Sequence, residues 1–287
     1  MKPSRFEWTA PESLDEALAV LAQVGDDAKV LAGGQSLLPI LNMRLAAPAH
    51  LVDINRLREL SYVRTEPDAV TVGALARHAE VERDGTAFDV LPLLRQALRL
   101  VAHPVIRNRG TTVGSLAHAD PSGEMTAVLT LTGGRVTAAR QGATRDIEAA
   151  DFFVGPLESA IGIGELAVSA TFPRLPARTG TTFVEVARRH GDYAVCGLAA
   201  AVTLGEDGSV TAARAAYVSM APTPLLLDLT EAVSGTQIGD ADWSAAGDLA
   251  ADQVDPEPDI HATADYRRHL ARVLTARALA EAAGRAA

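Results

Sequence analysis

The segment KVLAGGQS, residues 29–36, decides the fold because it joins an apolar run to a glycine turn. Residues 29–32 predict a buried strand, and a short helix is expected to begin at Leu37, with Pro39 tolerated in its first turn. The segment HLVDI, residues 50–54, predicts the next strand. Strand, loop, helix and strand in this order predict an α/β unit.

A second glycine-bearing segment, RGTTVGS, occupies residues 109–115. Small residues in both segments let backbone N–H groups approach an anionic ligand that a larger side chain would exclude. The first segment lacks the G-x-G-x-x-G spacing of dinucleotide-binding folds, and no Walker lysine follows it, so the usual NAD and P-loop sites are excluded. Two such segments predict an extended, dinucleotide-like ligand held from two sides. A strand-to-helix turn that uses glycine only for its positive φ remains the alternative for the first segment.

Composition excludes several function classes. The net charge of −10 argues against nucleic acid as a partner, because no basic face offsets phosphate repulsion. No apolar run approaches the ~18–20 residues that span a bilayer, and the N-terminal residues have no signal-type apolar segment. We therefore expect a cytoplasmic protein without a membrane span.

Cysteine and histidine usage argues against a metal site in this chain. Cys196 is the only cysteine, which excludes a disulfide within the chain and a cysteine-ligated iron–sulfur cluster. Its place in an apolar run favours a buried thiol. The seven histidines show no ligand-type spacing, and no nucleophile–base pair is evident, so no metal ligand and no catalytic side chain is predicted. His78 is interpreted as a residue at a helix start.

The rest of the chain divides at a group of helix-breaking residues formed by Pro173, Pro176 and Gly180. Before it, strands and helices mix, with strands expected at residues 69–73, 135–139 and 166–171 and helices at residues 78–83, 91–101 and 124–131. Beyond it, three consecutive strands are expected at residues 181–187, 197–204 and 210–220. Helices follow, the last at residues 264–283 with Thr263 as its N-cap. This order predicts an antiparallel sheet backed by helices.

Several motifs together resemble a known family. They are AGGQSLLP from residue 32, LVDIN from residue 51, IRNRGT from residue 106, HADP from residue 118 through Glu124, RRHGDYA from residue 188, and DYRR from residue 265. In this order they are similar to the FAD-binding medium subunit of molybdenum hydroxylases, the xanthine dehydrogenase and aerobic carbon monoxide dehydrogenase group. The resemblance covers nearly the whole chain.

The resemblance implies an α+β fold. It implies a two-subdomain FAD-binding domain of the molybdenum hydroxylase (PCMH) type over residues 1–175, with subdomains of about 1–56 and 57–175. Residues 176–287 would form the C-terminal domain of the flavoprotein subunit, an antiparallel three-stranded sheet with helices.

The resemblance also implies roles for individual residues. Residues 32–36 would hold the FAD pyrophosphate through backbone amides, and residues 111–115 would grip it from the other side. Glu124 would meet the ribose end, Leu166 would lie near the cofactor, and Tyr193 would cover the isoalloxazine ring. The full implied cofactor set is Leu31, Ala32, Gly33, Gly34, Gln35, Ser36, Leu37, Thr111, Thr112, Val113, Gly114, Ser115, Glu124, Leu166 and Tyr193.

Val113 departs from the family pattern, since a β-branched residue stands where the family usually has glycine. Either the position is extended and tolerates the side chain, or the segment binds with altered geometry.

By the same resemblance, the chain is an oxidoreductase subunit that carries FAD. It would accept electrons from [2Fe–2S] clusters on a small partner subunit and pass them to an external acceptor. Substrate would react at a molybdopterin cofactor on a large subunit, in a dimer of heterotrimers. The alternatives are a stand-alone FAD-dependent oxidase or reductase, and a cofactor-free scaffold of the same fold.

Overall fold

The computed structural model describes residues 2–286 of the chain. In that range it forms fourteen strands: β1 (Glu7–Thr9), β2 (Ala28–Leu31), β3 (His50–Asp53), β4 (Val63–Glu66), β5 (Ala69–Gly73), β6 (Arg135–Arg140), β7 (Ala143–Glu148), β8 (Phe153–Gly155), β9 (Glu158–Ser159), β10 (Leu166–Pro173), β11 (Thr179–Ala187), β12 (Ala194–Leu204), β13 (Val210–Val218) and β14 (Leu225–Asp228). The same range contains eleven α-helices: α1 (Leu14–Val24), α2 (Leu37–Asn42), α3 (His78–Arg83), α4 (Gly85–Val90), α5 (Pro92–Leu98), α6 (Pro104–Arg107), α7 (Thr112–His118), α8 (Glu124–Thr132), α9 (Ala149–Phe152), α10 (Trp243–Gln253) and α11 (Ala264–Ala286).

The N-terminal sheet is parallel, with strand order β1-β3-β2. Helix α1 begins at Ser13, whose hydroxyl accepts a hydrogen bond from the Glu16 N–H at 3.2 Å, and it buries Ala17, Leu18 and Leu21 against the core. Because β2 and β3 run in the same direction, the residues that follow them leave the sheet at one edge. The predicted strand–loop–helix–strand unit is confirmed, and its turn lies at that edge.

The middle sheet is antiparallel, with strand order β4-β5-β10-β6-β7. Its apolar face packs against α7 and α8, and these elements share one continuous core with the N-terminal sheet. Helix α8 is buried around most of its circumference, which explains its nearly uniform apolar sequence EMTAVLTLT.

The C-terminal sheet is antiparallel, with strand order β11-β12-β13-β14. The α+β class and the antiparallel sheet with helices are confirmed, but the sheet has four strands where the sequence predicted three. The fourth strand, β14, follows Pro222 and Pro224 and pairs only with β13, so its backbone partner rather than its own sequence pattern determines it.

The C-terminal sheet is covered on both faces. Helix α11 packs on β11 and β12 from one side, with α10 against α11. Helix α8 packs on β12, β13 and β14 from the other side. Thr263 caps α11 as predicted, because its hydroxyl accepts from the Tyr266 N–H at 3.2 Å. None of the helices in residues 2–286 combines the length and the apolar character needed to cross a bilayer.

Candidate functional site

The first glycine segment turns out of β2 with its backbone donors free. Gly34 has φ +72°, a conformation that favours glycine, and the Gln35 side-chain amide donates back to the Gly33 carbonyl at 3.0 Å. The N–H groups of residues 33–36 have no acceptor among residues 2–286. Ser36 precedes α2 without using its hydroxyl as a cap. Consecutive free N–H groups at a left-handed residue form a concave anion-binding surface.

The two glycine segments touch each other through Gly33. A Cβ at Gly33 would lie 2.6 Å from the Arg109 carbonyl oxygen, 2.8 Å from the Gly110 Cα and 3.0 Å from the Thr111 nitrogen. All three are backbone atoms, which have little freedom to move away. Glycine at position 33 is therefore required for the two segments to meet, and the pair forms a single backbone surface, called here the clamp (residues 31–37 and 109–115).

The second segment of the clamp is the start of a helix rather than a loop. Thr111 caps α7, since its hydroxyl accepts from the Gly114 N–H at 3.1 Å. The Val113 side chain is 1% exposed and packs in the core, and Val113 is not among the positive-φ residues. The first interpretation of Val113, an extended position, is wrong, because its β-branched side chain lies on the inward face of a helix. The second interpretation, altered binding geometry, stays a prediction.

The side chains of Thr111 and Thr112 are likewise buried. Any contact from residues 111–113 to a ligand would use backbone groups. Gly114 and Ser115 are only partly buried.

Two polar side chains, Asn55 and Arg77, connect the two segments of the clamp by hydrogen bonds and are called here the brace. Asn55, just after β3, donates from Nδ2 to the Ala32 carbonyl at 2.9 Å. Arg77 donates from Nη2 to the Asn55 Oδ1 at 2.7 Å and from Nη1 to the Arg109 carbonyl at 2.6 Å. This series of hydrogen bonds, from Ala32 through Asn55 and Arg77 to Arg109, links the two segments independently of Gly33. Two of the hydrogen bonds are charge-assisted.

Arg77 of the brace also places a positive charge beside the clamp. Burial, with the neighbouring Arg109 guanidinium, lowers the pKa of Arg77. Two guanidinium groups lie close together beside the clamp, although the whole chain carries a net charge of −10. Their combined field favours an anionic ligand such as a diphosphate at this edge.

The other predicted site residues, Glu124, Leu166 and Tyr193, lie outside the clamp. Tyr193 is 67% exposed at the turn before β12. It borders a cleft of about 330 Å³ that Asp120, Ser122 and Arg188 also line. Ser219 joins this turn to the start of α8, because its hydroxyl donates to the Ala194 carbonyl at 2.7 Å and its N–H donates to the Pro121 carbonyl at 2.8 Å.

Glu124 is the first residue of α8, where the helix N-terminus favours a carboxylate. Burial, together with the neighbouring Glu185 carboxyl, raises the pKa of Glu124 to about 8. Leu166 begins β10 and is 3% exposed, so its side chain belongs to the core and only its backbone could face a ligand.

Residues 4–175 match the family model of the FAD binding domain in molybdopterin dehydrogenase. Residues 181–282 match that of the CO dehydrogenase flavoprotein C-terminal domain. The chain belongs to this flavoprotein family. The resemblance inferred from its motifs is confirmed.

Relatives of this flavoprotein match it along its whole length. It is 41% identical over 287 residues to the 6-hydroxypseudooxynicotine dehydrogenase complex subunit alpha of Paenarthrobacter nicotinovorans, covering 100% of this chain and 97% of that protein. It is 40% identical to caffeine dehydrogenase subunit beta of Pseudomonas sp. (strain CBB1), covering 99% and 97%. A chain of the carbon monoxide dehydrogenase from Hydrogenophaga pseudoflava superimposes with a TM-score of 0.94 at 36% identity and full coverage of both chains.

The clamp of this flavoprotein fits the diphosphate of FAD on structural grounds. Gly33 lets the backbones of the two segments meet, and the N–H groups of residues 33–36 remain free among the described residues. Arg77 and Arg109 supply positive charge next to it. Backbone donors with flanking cations are the groups that bind phosphates without selecting a base.

Sequence reasoning missed the hydrogen bonds by which Arg77 and Asn55 join the two segments. For Asn55 a signal existed, since it follows β3 and residues after neighbouring parallel strands meet at one edge. Arg77 had none, because only the fold brings it between two distant carbonyls.

His78 supports the clamp as a neutral ring. The backbone N–H of His78 donates to the Gly110 carbonyl at 2.9 Å, and the ring Nδ1 lies 3.2 Å from the Thr112 hydroxyl. Burial, together with the Arg107 charge, lowers its pKa from 6.5 to about 4. It begins α3, as the sequence predicted.

The depressed pKa of His78 predicts acid sensitivity. Between pH 6.5 and 4 the unfolded chain binds a proton at His78 that the folded chain does not, so stability present above pH 6.5 is lost as pH falls. We expect this residue to contribute a slope of about 1.4 kcal/mol per pH unit to the free energy of unfolding in that window.

Urea unfolding of the wild type and of His78→Asn at several pH values measures this contribution. The variant should show the shallower acid slope. The exposed His269 on α11 provides the control, since His269→Asn should leave the slope unchanged. Equal slopes for His78→Asn and the wild type would contradict a neutral buried ring.

Proposed function

We propose that this chain is the FAD-carrying electron-transfer subunit of a molybdenum-containing hydroxylase or dehydrogenase. The observation that carries the proposal is the clamp, in which two segments distant in sequence meet through Gly33 and present free N–H groups beside two arginines. FAD, when bound, supplies the redox chemistry, so the chain itself needs no acid–base or nucleophilic side chain.

The cofactor contacts are proposed as follows. The backbone of residues 32–36 and the Ser36 hydroxyl hold the diphosphate, and residues 111–115 approach it from the start of α7. Glu124 meets the ribose end, and Tyr193 shields the isoalloxazine ring. Leu31 and Leu37 flank the first segment, and Leu166 contributes through its backbone. The burial of Thr111, Thr112 and Val113 supports backbone rather than side-chain contacts from those three positions.

The electron path requires partner subunits. One cysteine cannot ligate a [2Fe–2S] cluster, and Cys196 is fully buried with a pKa raised to about 12 by burial. We therefore place the iron–sulfur clusters on a small partner subunit and the molybdopterin cofactor on a large one. The relatives named as dehydrogenase subunits support a multi-subunit assembly.

We further propose a dimer of heterotrimers located in the cytoplasm. Within each chain, residues 1–175 form the FAD-binding domain, with subdomains of about 1–56 and 57–175, and residues 176–287 form the C-terminal domain. The separate sheets on either side of residue 175 support this division.

Co-purification tests the proposal. The chain, expressed with its neighbouring reading frames and an affinity tag, should purify with a large molybdopterin protein and a small cysteine-rich protein, and the complex should show flavin and iron–sulfur absorption. A lone chain that oxidises a substrate with its own FAD would instead establish a stand-alone flavoenzyme. A folded complex without FAD would establish a cofactor-free scaffold.

A further inference from the structure

The turn that precedes α6, residues 101–103 and called here the inner turn, has a strained backbone. Ala102 has φ +44°, in the left-handed region that favours glycine. A residue with a side chain keeps this conformation only where the surrounding structure holds it. His103 is the N-cap of α6, and its carbonyl accepts from the backbone N–H groups of Ile106 and Arg107 at 2.9 and 3.1 Å. The inner turn is therefore fixed to α6 at its end, and the strained residue before that end needs a further contact.

The Arg107 side chain, on α6, supplies that contact. Its Nη1 donates to the Val101 carbonyl at 3.0 Å and to the Ala102 carbonyl at 3.3 Å. Its Nε donates to the Glu82 carboxylate at 2.9 Å, which orients the guanidinium. Arg107 is only 9% exposed, so these charge-assisted hydrogen bonds are largely shielded from water and are strengthened by that shielding. Arg107 thus holds the inner turn by two of its carbonyl groups.

The inner turn packs against the turn that carries Tyr193. That second turn, residues 188–193 and called here the tyrosine turn, joins β11 to β12. A Cβ at Gly191 would lie 2.8 Å from the His103 Cε1 and 3.1 Å from the Ala102 carbonyl carbon, so the two turns are in direct contact. The His103 and His190 rings also lie close together, with 5.8 Å between their centroids. The backbone that Arg107 holds is therefore the surface on which the tyrosine turn packs.

The position of Tyr193 depends on the turn and not on its own side chain. The side chain is exposed, and its hydroxyl forms no hydrogen bond among the described residues. The Tyr193 N–H donates to the Asp192 carboxylate at 3.1 Å, and Arg188 donates to the same carboxylate at 3.4 Å. These contacts lie within the tyrosine turn, so they shape it without placing it on the rest of the protein. Its placement comes from the inner turn and from the hydrogen bond of Ser219 to the Ala194 carbonyl.

We propose that Arg107 is a positioning residue, which acts through the inner turn to place Tyr193 against the isoalloxazine ring of FAD. The inference rests on the proposed cofactor site, because Tyr193 shields the ring only if FAD extends from the clamp to the tyrosine turn. Helix α6 leads directly into Arg109 of the clamp, so this one short helix sets the clamp and the tyrosine turn relative to each other. Loss of the Arg107 hydrogen bonds lets the inner turn leave its strained conformation, and the tyrosine turn then shifts with it.

A double-mutant cycle with Tyr193 tests this inference on the full chain, purified with its partner subunits and stripped of cofactor. Arg107→Lys keeps a positive charge beside Glu82 but lacks the planar fork that reaches the carboxylate and both carbonyls. FAD affinity should fall about fivefold in Arg107→Lys and about tenfold in Tyr193→Ala, because an aromatic contact contributes about that much. Since Arg107 acts through Tyr193, the double variant should bind FAD about as weakly as Tyr193→Ala alone.

The flavin spectrum gives a second readout. Addition of FAD to the stripped complex yields a difference spectrum from which the iron–sulfur absorption is subtracted. An aromatic ring stacked on the isoalloxazine shifts the visible bands of the flavin. Arg107→Lys and Tyr193→Ala should therefore show the same spectral change relative to the wild type, which a general loss of stability would not produce.

Arg83→Lys, an exposed change next to Glu82 on α3, is the control and should match the wild type in both readouts. If Arg107→Lys fails to fold, Gly191→Ala decides, because its Cβ would push the tyrosine turn away from His103 and its effect should likewise not add to that of Tyr193→Ala. An unaffected Arg107→Lys, or effects that multiply to about 50-fold in its double variant, would overturn the inference while leaving the proposed function intact. A wild type that binds no FAD would overturn the proposed function, and this inference with it.

Discussion

Replacing Gly33 by alanine is expected to weaken FAD binding by about 30- to 150-fold. The added Cβ would lie 2.6 Å from the Arg109 carbonyl oxygen and 2.8 Å from the Gly110 Cα. Overpacking of this kind costs about 2–3 kcal/mol, because backbone on both sides must move apart. Separation of the two segments would misplace the donors of residues 33–36 relative to α7.

FAD titration followed by flavin fluorescence measures the effect, and circular dichroism checks that the variant remains folded. Gly85→Ala is the matched control, since a Cβ at Gly85 meets no atom within 4 Å. We expect this control to bind FAD as the wild type does. Wild-type affinity in Gly33→Ala would show that the contact between the segments is irrelevant to the cofactor.

Replacing Arg77 by methionine is expected to weaken FAD binding by about 10- to 100-fold. The change removes two charge-assisted hydrogen bonds, to the Asn55 Oδ1 and the Arg109 carbonyl. Each hydrogen bond to a charged group contributes about 1.5–3 kcal/mol. Part of that loss appears in the stability of the free chain and part in the binding of FAD, because the brace sets the distance between the segments and places a positive charge beside them.

Arg77→Lys separates these two effects. It keeps the charge but cannot bridge two acceptors with the planar fork of arginine, so its affinity should fall between those of the wild type and Arg77→Met. Arg83→Met, an exposed change on the same helix α3, serves as the control. A lysine variant as weak as the methionine variant would assign the effect to geometry alone, and an unaffected Arg77→Met would refute the brace.

The sequence predicted those parts of the fold whose patterns are local. The turn after β2 and helix α2 follow from a strand–glycine sequence and a helix start. The cap at Thr263 follows from a hydroxyl three residues before the N–H that donates to it. The short edge strand β14 was missed because its formation depends on pairing with β13. Local propensity carries no information about such a partner.

The candidate site, like the fold, was predicted where its pattern is local and missed where it depends on distant contacts. The two glycine segments were predicted, but their contact through Gly33 and the bridge of Arg77 from Asn55 to Arg109 arise only when distant parts of the chain meet. The extended conformation considered for Val113 is wrong for a related reason. The cap at Thr111 makes the segment helical and turns the Val113 side chain towards the core.

The FAD content of the full chain, purified with its partner subunits, tests the central claim most directly. After denaturation, the released flavin is identified by chromatography and its amount is divided by the amount of this chain. The account predicts about one FAD per chain, bound at a site that Gly33→Ala empties. A folded complex that contains no FAD and takes up none on titration would contradict it.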